Sequence, residues 1–187
     1  MGRHIRLALF AILAISTTVH ADDAADKVAA QKKLAEANWN AVEAGEFASL
    51  ETAHLLLYAP KASEKNLKEV GAHLEKYYTE SARVLGYDAN SSPWEGKLAV
   101  YVFAERDQFA AFVRRVEKRR FVTGETASNA VEGDLLHAAA GPAAKETFPT
   151  EAQAGQQMAI AMLRLKAGAK VPLPEWLLTG FGRATTY

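Results

Sequence analysis

Histidine and carboxylate side chains are the residues of this chain that could carry acid–base or metal chemistry. Three of the five histidines lie beyond residue 21, at His54, His73 and His137, and no two of them have the spacing of a metal-binding pair. His54 stands within an apolar run and is expected to be a hydrogen-bonded core residue, and His73, beside the apolar face of a predicted helix, is expected to be half-exposed. His137 follows Glu132 and Asp134 closely, and a carboxylate beside an imidazole orients it for proton transfer. This constellation predicts a candidate hydrolytic centre.

Most other site chemistries lack their residues in this chain. The absence of cysteine excludes disulfides, thiolate metal sites, iron–sulfur clusters and a cysteine nucleophile. There is no P-loop and no Gly-x-Ser-x-Gly elbow, and Gly180-Phe181-Gly182 lacks the third glycine of a dinucleotide-binding turn. The 22 basic and 22 acidic side chains balance, and the basic run over 114–120 is typical of a solvated helix end. We therefore expect no cofactor and no nucleic-acid partner.

The first 21 residues have the pattern of a signal peptide. Arg3 and Arg6 precede an apolar run over 7–15, which is too short to span a bilayer, and Val19-His20-Ala21 matches a cleavage site. We therefore expect residues 1–21 to be removed and the remainder to be exported to the periplasm or the extracellular space. No later segment is long and apolar enough to predict a membrane span after cleavage.

Hydrophobic spacing divides the rest of the chain into helices and short strands. Two strands that are each followed by a helix, and a helical C-terminal end, indicate an α+β fold with a small mixed sheet. We expect an N-terminal helix over 22–46 and one α+β domain over 47–187. Within that domain the pattern predicts strands over 51–58 and 97–103, helices over 63–86, 105–120, 151–167 and 175–184, and one or two edge strands within 129–140.

Two segments near the C-terminus together have the pattern of a catalytic core. The first is Gln156-Gln157-Met158-Ala159-Ile160, and the second is Pro174-Glu175-Trp176-Leu177-Leu178-Thr179-Gly180-Phe181-Gly182. The pair resembles the core of gluzincin metallopeptidases of the thermolysin-like clan, where one helix carries H-E-x-x-H and the next a segment such as P-x-W-L-x-E-G-x-A. The resemblance implies a gluzincin-like N-terminal subdomain followed by two C-terminal helices, with further helices after residue 187 in a full fold of this kind.

The resemblance also implies which residues stand where the zinc site would be. Gln156 and Ile160 take the positions of the two histidines, Thr179 that of the third ligand, and Gln157 that of the general base. In an active site, histidines four residues apart share a helix face and bind one zinc, while the glutamate accepts a proton from the zinc-bound water. Isoleucine has no donor atom, and amides and hydroxyls are poor zinc ligands and poor bases. We therefore expect neither zinc nor peptidase activity.

The leading hypothesis is an exported, non-catalytic metallopeptidase-like domain whose cleft is structural or binds a peptide or protein ligand. Its lining would be Gln156, Gln157, Ile160 and Thr179, and an extended peptide could bind along a sheet edge. Two other hypotheses remain open, a hydrolase built around His137 and a plain scaffold domain of the cell envelope. The two C-terminal segments also fit an ordinary buried helix followed by an apolar anchor. The sequence predicts no oligomeric state.

Overall fold

The computed structural model describes residues 19–88, 92–134, 136–143 and 148–186, with side chains from residue 24 onward. Residues 1–18 of the predicted signal peptide lie outside this part. None of the helices in the described ranges is long and apolar enough to cross a membrane. The elements in chain order are α1 (Val19–Val42), β1 (Phe47–Glu51), β2 (Leu55–Pro60), a 3₁₀ helix (Lys61–Asn66), α2 (Leu67–Leu85), β3 (Leu98–Val102), α3 (Arg106–Arg115), β4 (Ala127–Ala130), β5 (His137–Ala140), α4 (Thr150–Ala167) and α5 (Glu175–Ala184).

The five strands form one mixed sheet in the order β1-β2-β3-β5-β4. The three central strands β2, β3 and β5 are parallel, while β1 and β4 are antiparallel edge strands. The predicted α+β fold with a small mixed sheet and two C-terminal helices is therefore confirmed. One detail was wrong: of the two strands in the region where edge strands were predicted, β4 is an edge strand and β5 lies inside the sheet.

Both faces of the sheet are buried, which explains the continuous apolar runs of its central strands. Leu55 and Leu57 point to one face, where they pack with α2 and α4 in one cluster of buried side chains. Leu56 and Tyr58 point to the other face, where a second cluster includes Trp39 of α1 and aromatic residues of α3. The sheet therefore separates two cores.

Two boundaries near the start of the domain differ from the prediction. The predicted strand over 51–58 corresponds to β2, which begins only at Leu55, because the Thr52 hydroxyl accepts the backbone N–H of Leu55 at 3.1 Å and closes a turn after β1, a strand that was not predicted. Ser63, where the predicted helix over 63–86 starts, lies within the 3₁₀ helix, and α2 begins only at Leu67. The predicted end at Gly86 is confirmed. Its φ of 65° lies in the left-handed region, which glycine adopts more readily than residues with a side chain.

The third helix ends earlier than its spacing predicted. It runs from Arg106 to Arg115 rather than over 105–120, and Lys118 beyond it has a left-handed φ of 55°. The chain leaves the helix there because the Glu117 carboxylate turns inward to bind His137. The basic run over 114–120 is therefore only partly helical. Arg119 lies beyond the helix and forms ion pairs with Glu117 and Glu125.

The residue after β5 requires glycine because the sheet end lies close to α3. A Cβ atom built on Gly141 would lie 2.6 Å from the Cβ of Phe109, whose side chain is fully buried. We expect Gly141→Ala to lower the free energy of unfolding by about 1–3 kcal/mol through overpacking. Urea unfolding followed by circular dichroism measures this change.

Gly180→Ala is the matched control for that substitution. Gly180 lies inside α5 with nothing within 4 Å of the position that its Cβ would occupy. Alanine is the better helix former, so this variant should gain roughly 0.5–1 kcal/mol. Equal effects of the two substitutions would show that the approach of Gly141 to Phe109 does not constrain the fold.

Candidate functional site

The four residues that the sequence singled out line one cleft. Gln156, Gln157 and Ile160 lie on α4, and Thr179 lies on α5, which packs directly against α4. The contact between the helices is close at Gly182, where a Cβ would lie 3.1 Å from the Gln156 carbonyl oxygen and 3.3 Å from the Ile160 side chain. The two segments are therefore neighbours in space, with their four predicted positions on the same side.

The cleft has a volume of about 340 Å³, and its opposite wall is the edge strand β4. Ala127, Ser128 and Asn129 supply that wall. The sequence predicted edge strands within 129–140 and left Ala127 and Ser128 out, because small residues carry little hydrophobic pattern. Four charged side chains complete the lining, and they are Arg119, Glu125, Arg164 and Glu175.

Hydrogen bonds hold the polar side chains of the cleft in place. The Gln157 Oε1 atom accepts a bond of 2.5 Å from the Asn129 side chain, whose own oxygen accepts from Arg164 at 3.1 Å. The Thr179 hydroxyl donates to Glu175 at 3.2 Å. Ile160 is only 7% exposed and fills the space beside Gly182. Hydrogen bonds between these side chains thus connect α4 to β4 across the cleft.

The edge of β4 offers backbone groups to this cleft. The Gly141 N–H donates to the Thr126 carbonyl at 2.8 Å, so these residues form a hydrogen-bonded antiparallel pair. Such pairs alternate along an antiparallel ladder, and Ser128 and Ala130 therefore also bond to β5. The backbone N–H and C=O groups of Ala127 and Asn129 consequently point away from β5, toward the outer edge.

A second polar cluster is buried between β4, β5 and the segment after α3. The Glu117 carboxylate accepts hydrogen bonds from three side chains: His137 Nε2 at 3.0 Å, the Ser128 hydroxyl at 2.6 Å and Arg119 Nε at 2.6 Å. The side chains of Glu117 and His137 are 6% and 2% exposed. Arg119 in turn pairs with Glu125. The carboxylate that contacts His137 is therefore Glu117, and neither Glu132 nor Asp134 has this role.

These contacts set the ionisation of Glu117. Burial raises the pKa of Glu117. The hydrogen bonds from His137 and Ser128 and the charge of Arg119 lower it by a larger amount, so the pKa lies below the ordinary glutamate value. A carboxylate is the stronger acceptor for these three donors. Glu117 is consequently ionised at neutral pH, and it orients the His137 ring by accepting the Nε2 proton.

Of the other two histidines, His54 has the hydrogen-bonded position that the sequence predicted, and His73 does not. His54 is half-buried, and its Nδ1 atom lies 2.7 Å from Glu75 of α2. Its ring stacks on Tyr78 with centroids 3.9 Å apart. His73 is exposed on α2. Across the part of the chain that the structure describes, no group of three or more histidine, aspartate or glutamate side chains is arranged to hold a metal ion.

Comparisons of this chain with protein-family models, with curated proteins and with solved structures found no match.

The lowered pKa of Glu117 predicts how stability depends on pH. The folded state then binds fewer protons than the unfolded state, so this contribution is complete above the ordinary value of 4.5 and is lost as pH falls through the lower folded pKa. Glu117→Gln turns an amide NH₂ toward Arg119 and should cost about 1–3 kcal/mol near neutral pH. The difference from wild type should shrink in acid, as measured by urea unfolding across pH.

Glu132→Gln is the control for this prediction, because Glu132 is exposed and was the partner that the sequence suggested for His137. It should leave stability within about 0.5 kcal/mol of wild type at every pH. A pH-independent loss in Glu117→Gln, or an equal loss in Glu132→Gln, would contradict the assignment of Glu117 as the ionised partner.

Proposed function

We propose that this chain is an exported, non-catalytic metallopeptidase-like domain that binds an extended peptide in the cleft between α4, α5 and β4. The observation that carries the proposal is the position of Gln156, Gln157, Ile160 and Thr179 in one cleft, opposite a sheet edge. The helix positions that would hold zinc in a gluzincin thus face a strand that can pair with a peptide. Binding sites of this kind take their affinity from main-chain hydrogen bonds.

The edge strand supplies the main-chain part of the interaction. The outward N–H and C=O groups of Ala127 and Asn129 can each pair with a peptide backbone that lies beside β4. Side chains of the peptide then alternate between the cleft and solvent. Those that enter the cleft meet amide and charged groups from α4 and α5, including Gln156, Arg164 and Glu175.

The same cleft lacks the groups that hydrolysis requires. Gln157 is a neutral amide whose oxygen is already bonded to Asn129, so it cannot take a proton from water. Ile160 offers no donor atom, and the Thr179 hydroxyl is neutral and bonded to Glu175. A bound peptide would therefore be held with its amide bonds intact.

A proline in the edge strand tests the binding mode. Ala127→Pro removes an outward N–H and places a ring on the open edge, while the ladder to β5 keeps its bonds, because proline is tolerated at such edge positions. We expect peptides retained by wild type on an array of overlapping peptides to bind at least about tenfold more weakly to this variant.

Ala127→Ser is the matched control, because it keeps the backbone N–H and changes the side chain by one hydroxyl group. It should bind the same peptides as wild type. If no peptide is retained by the wild-type protein, the plain scaffold hypothesis is favoured. If Ala127→Pro remains folded by circular dichroism and binds as wild type does, the β4 edge is not the binding surface.

Zinc binding by a variant tests the correspondence with the metallopeptidase core. Gln156 and Ile160 are four residues apart on α4 and line the same cleft, so Gln156→His combined with Ile160→His should create a site for zinc. The double variant is expected to bind zinc at least about tenfold more tightly than Gln156→His alone, as measured by isothermal titration calorimetry. A folded double variant with no gain in zinc affinity would show that these two positions cannot bind one zinc ion together.

A further inference from the structure

The segment that joins α4 to α5 forms an exposed tip beside these two helices. Gly182 of α5 lies against Gln156 of α4, and Leu178, one turn earlier on α5, lines the same cleft as Arg164, two turns later on α4. The helices therefore run antiparallel, and the end of α4 lies next to the start of α5. We call residues 166–176 the α4–α5 tip, and all but one of them are exposed.

Two large apolar side chains lie on the surface of this tip. Trp176 is 75% exposed, which is the highest value for a large hydrophobic side chain among the described residues, and Val171 is 48% exposed. Pro172 and Pro174 lie between them and are exposed as well. A single exposed apolar residue is ordinary, but several within one short segment mark a candidate contact surface.

The region around the tip is positively charged. Residues 22–163 contain 16 basic and 21 acidic side chains, whereas the only acidic side chain in 164–187 is Glu175. Glu175 lines the cleft and accepts a hydrogen bond from Thr179. None of the basic side chains of this region forms an ion pair with a described residue. These side chains are Arg164, Lys166, Lys170 and Arg183.

The two lysines of the tip keep their charge available. The Lys166 ammonium group lies 4.7 Å from the centre of the Tyr87 ring and donates to the Gly86 carbonyl at 3.4 Å. Both partners are neutral, so the positive charge is not cancelled. Lys170 is exposed beside Val171. The tip thus combines apolar side chains with unneutralised cations.

This combination matches the head-group region of an anionic lipid bilayer. Tryptophan is enriched in that region because its ring is largely apolar while its N–H can bond to polar head groups. Each lysine close to an anionic bilayer strengthens binding by about fivefold. A protein partner could also cover Trp176, but the surplus of cations favours an extended anionic surface.

We propose that the α4–α5 tip docks this protein on the surface of bilayers rich in anionic phospholipid. Trp176 and Val171 enter the head-group region, and Lys166 and Lys170 lie against the lipid phosphates. The tip does not include the β4 edge. Docking and peptide binding are therefore separate properties, and either can fail without the other.

Vesicles with brominated acyl chains test this docking, because bromine quenches tryptophan fluorescence only at short range. Trp39 and Trp94 are buried, and residues 1–21 contain no tryptophan, so quenching reports on Trp176. Brominated phosphatidylglycerol vesicles should quench the emission of the full chain, and brominated phosphatidylcholine vesicles should leave it unchanged. Equal quenching by the two lipids, or no quenching by either, would overturn the proposal.

Substitutions locate the binding, as measured by co-sedimentation with phosphatidylglycerol vesicles. Lys170→Glu and Trp176→Ala should each bind at least about fivefold more weakly than wild type. Lys68→Glu and Val122→Ala are the matched controls, since both residues are exposed outside the tip, and they should bind as wild type does. Residues 1–21 are the same in every variant.

Two results of this series would contradict the proposal. One is undiminished binding by Lys170→Glu and Trp176→Ala while both remain folded by circular dichroism, or an equal loss in the controls. The other is a wild-type dimer in sedimentation velocity that Trp176→Ala dissociates without any change in vesicle binding. That result would assign the tip to contact with a second copy of the chain.

Discussion

The close packing of α4 against its neighbours is the constraint on which the rest of the structure depends. Alanine and glycine fill much of its buried surface, and β5 beneath it consists largely of alanine. Gly155 lets α2 approach, since a Cβ there would lie 2.6 Å from the Tyr77 ring, and Gly182 lets α5 approach in the same way. Small residues allow such short distances between backbones because little side-chain volume intervenes. The position of the cleft follows from these contacts.

The buried Glu117–His137 pair connects the two sides of the sheet. Ser128, which lines the cleft beside α4 and α5, donates to the same carboxylate that accepts from His137. A buried charge is stable only when it is paired and fully hydrogen-bonded, and this carboxylate has three donors. The early end of α3 is the structural cost of this arrangement, because the chain must leave the helix for Glu117 to reach its partners.

The proposed cleft differs from a catalytic one in how its polar groups are used. In a hydrolase, the base and the metal ligands must keep lone pairs available for water or metal. Here the Gln157 and Thr179 side chains bond to Asn129 and Glu175, and Ile160 packs against α5. Such contacts stabilise the walls of a binding surface. The backbone N–H and C=O groups on the outer edge of β4 do not bond to β5 and can pair with a ligand.

The sequence alone determined the elements with long, regular patterns and the chemistry that is absent. The helices at 151–167 and 175–184 and the strand near 97–103 were predictable because their apolar residues recur with the period of the element. The four candidate positions on α4 and α5 came from a motif resemblance, and their meeting in one cleft depends on helix packing. Tertiary structure alone decided that Glu117 pairs with His137, since these residues lie 20 positions apart. It also decided that β4 is the open edge, because four small residues acquire a place in the sheet only when a neighbouring strand pairs with them.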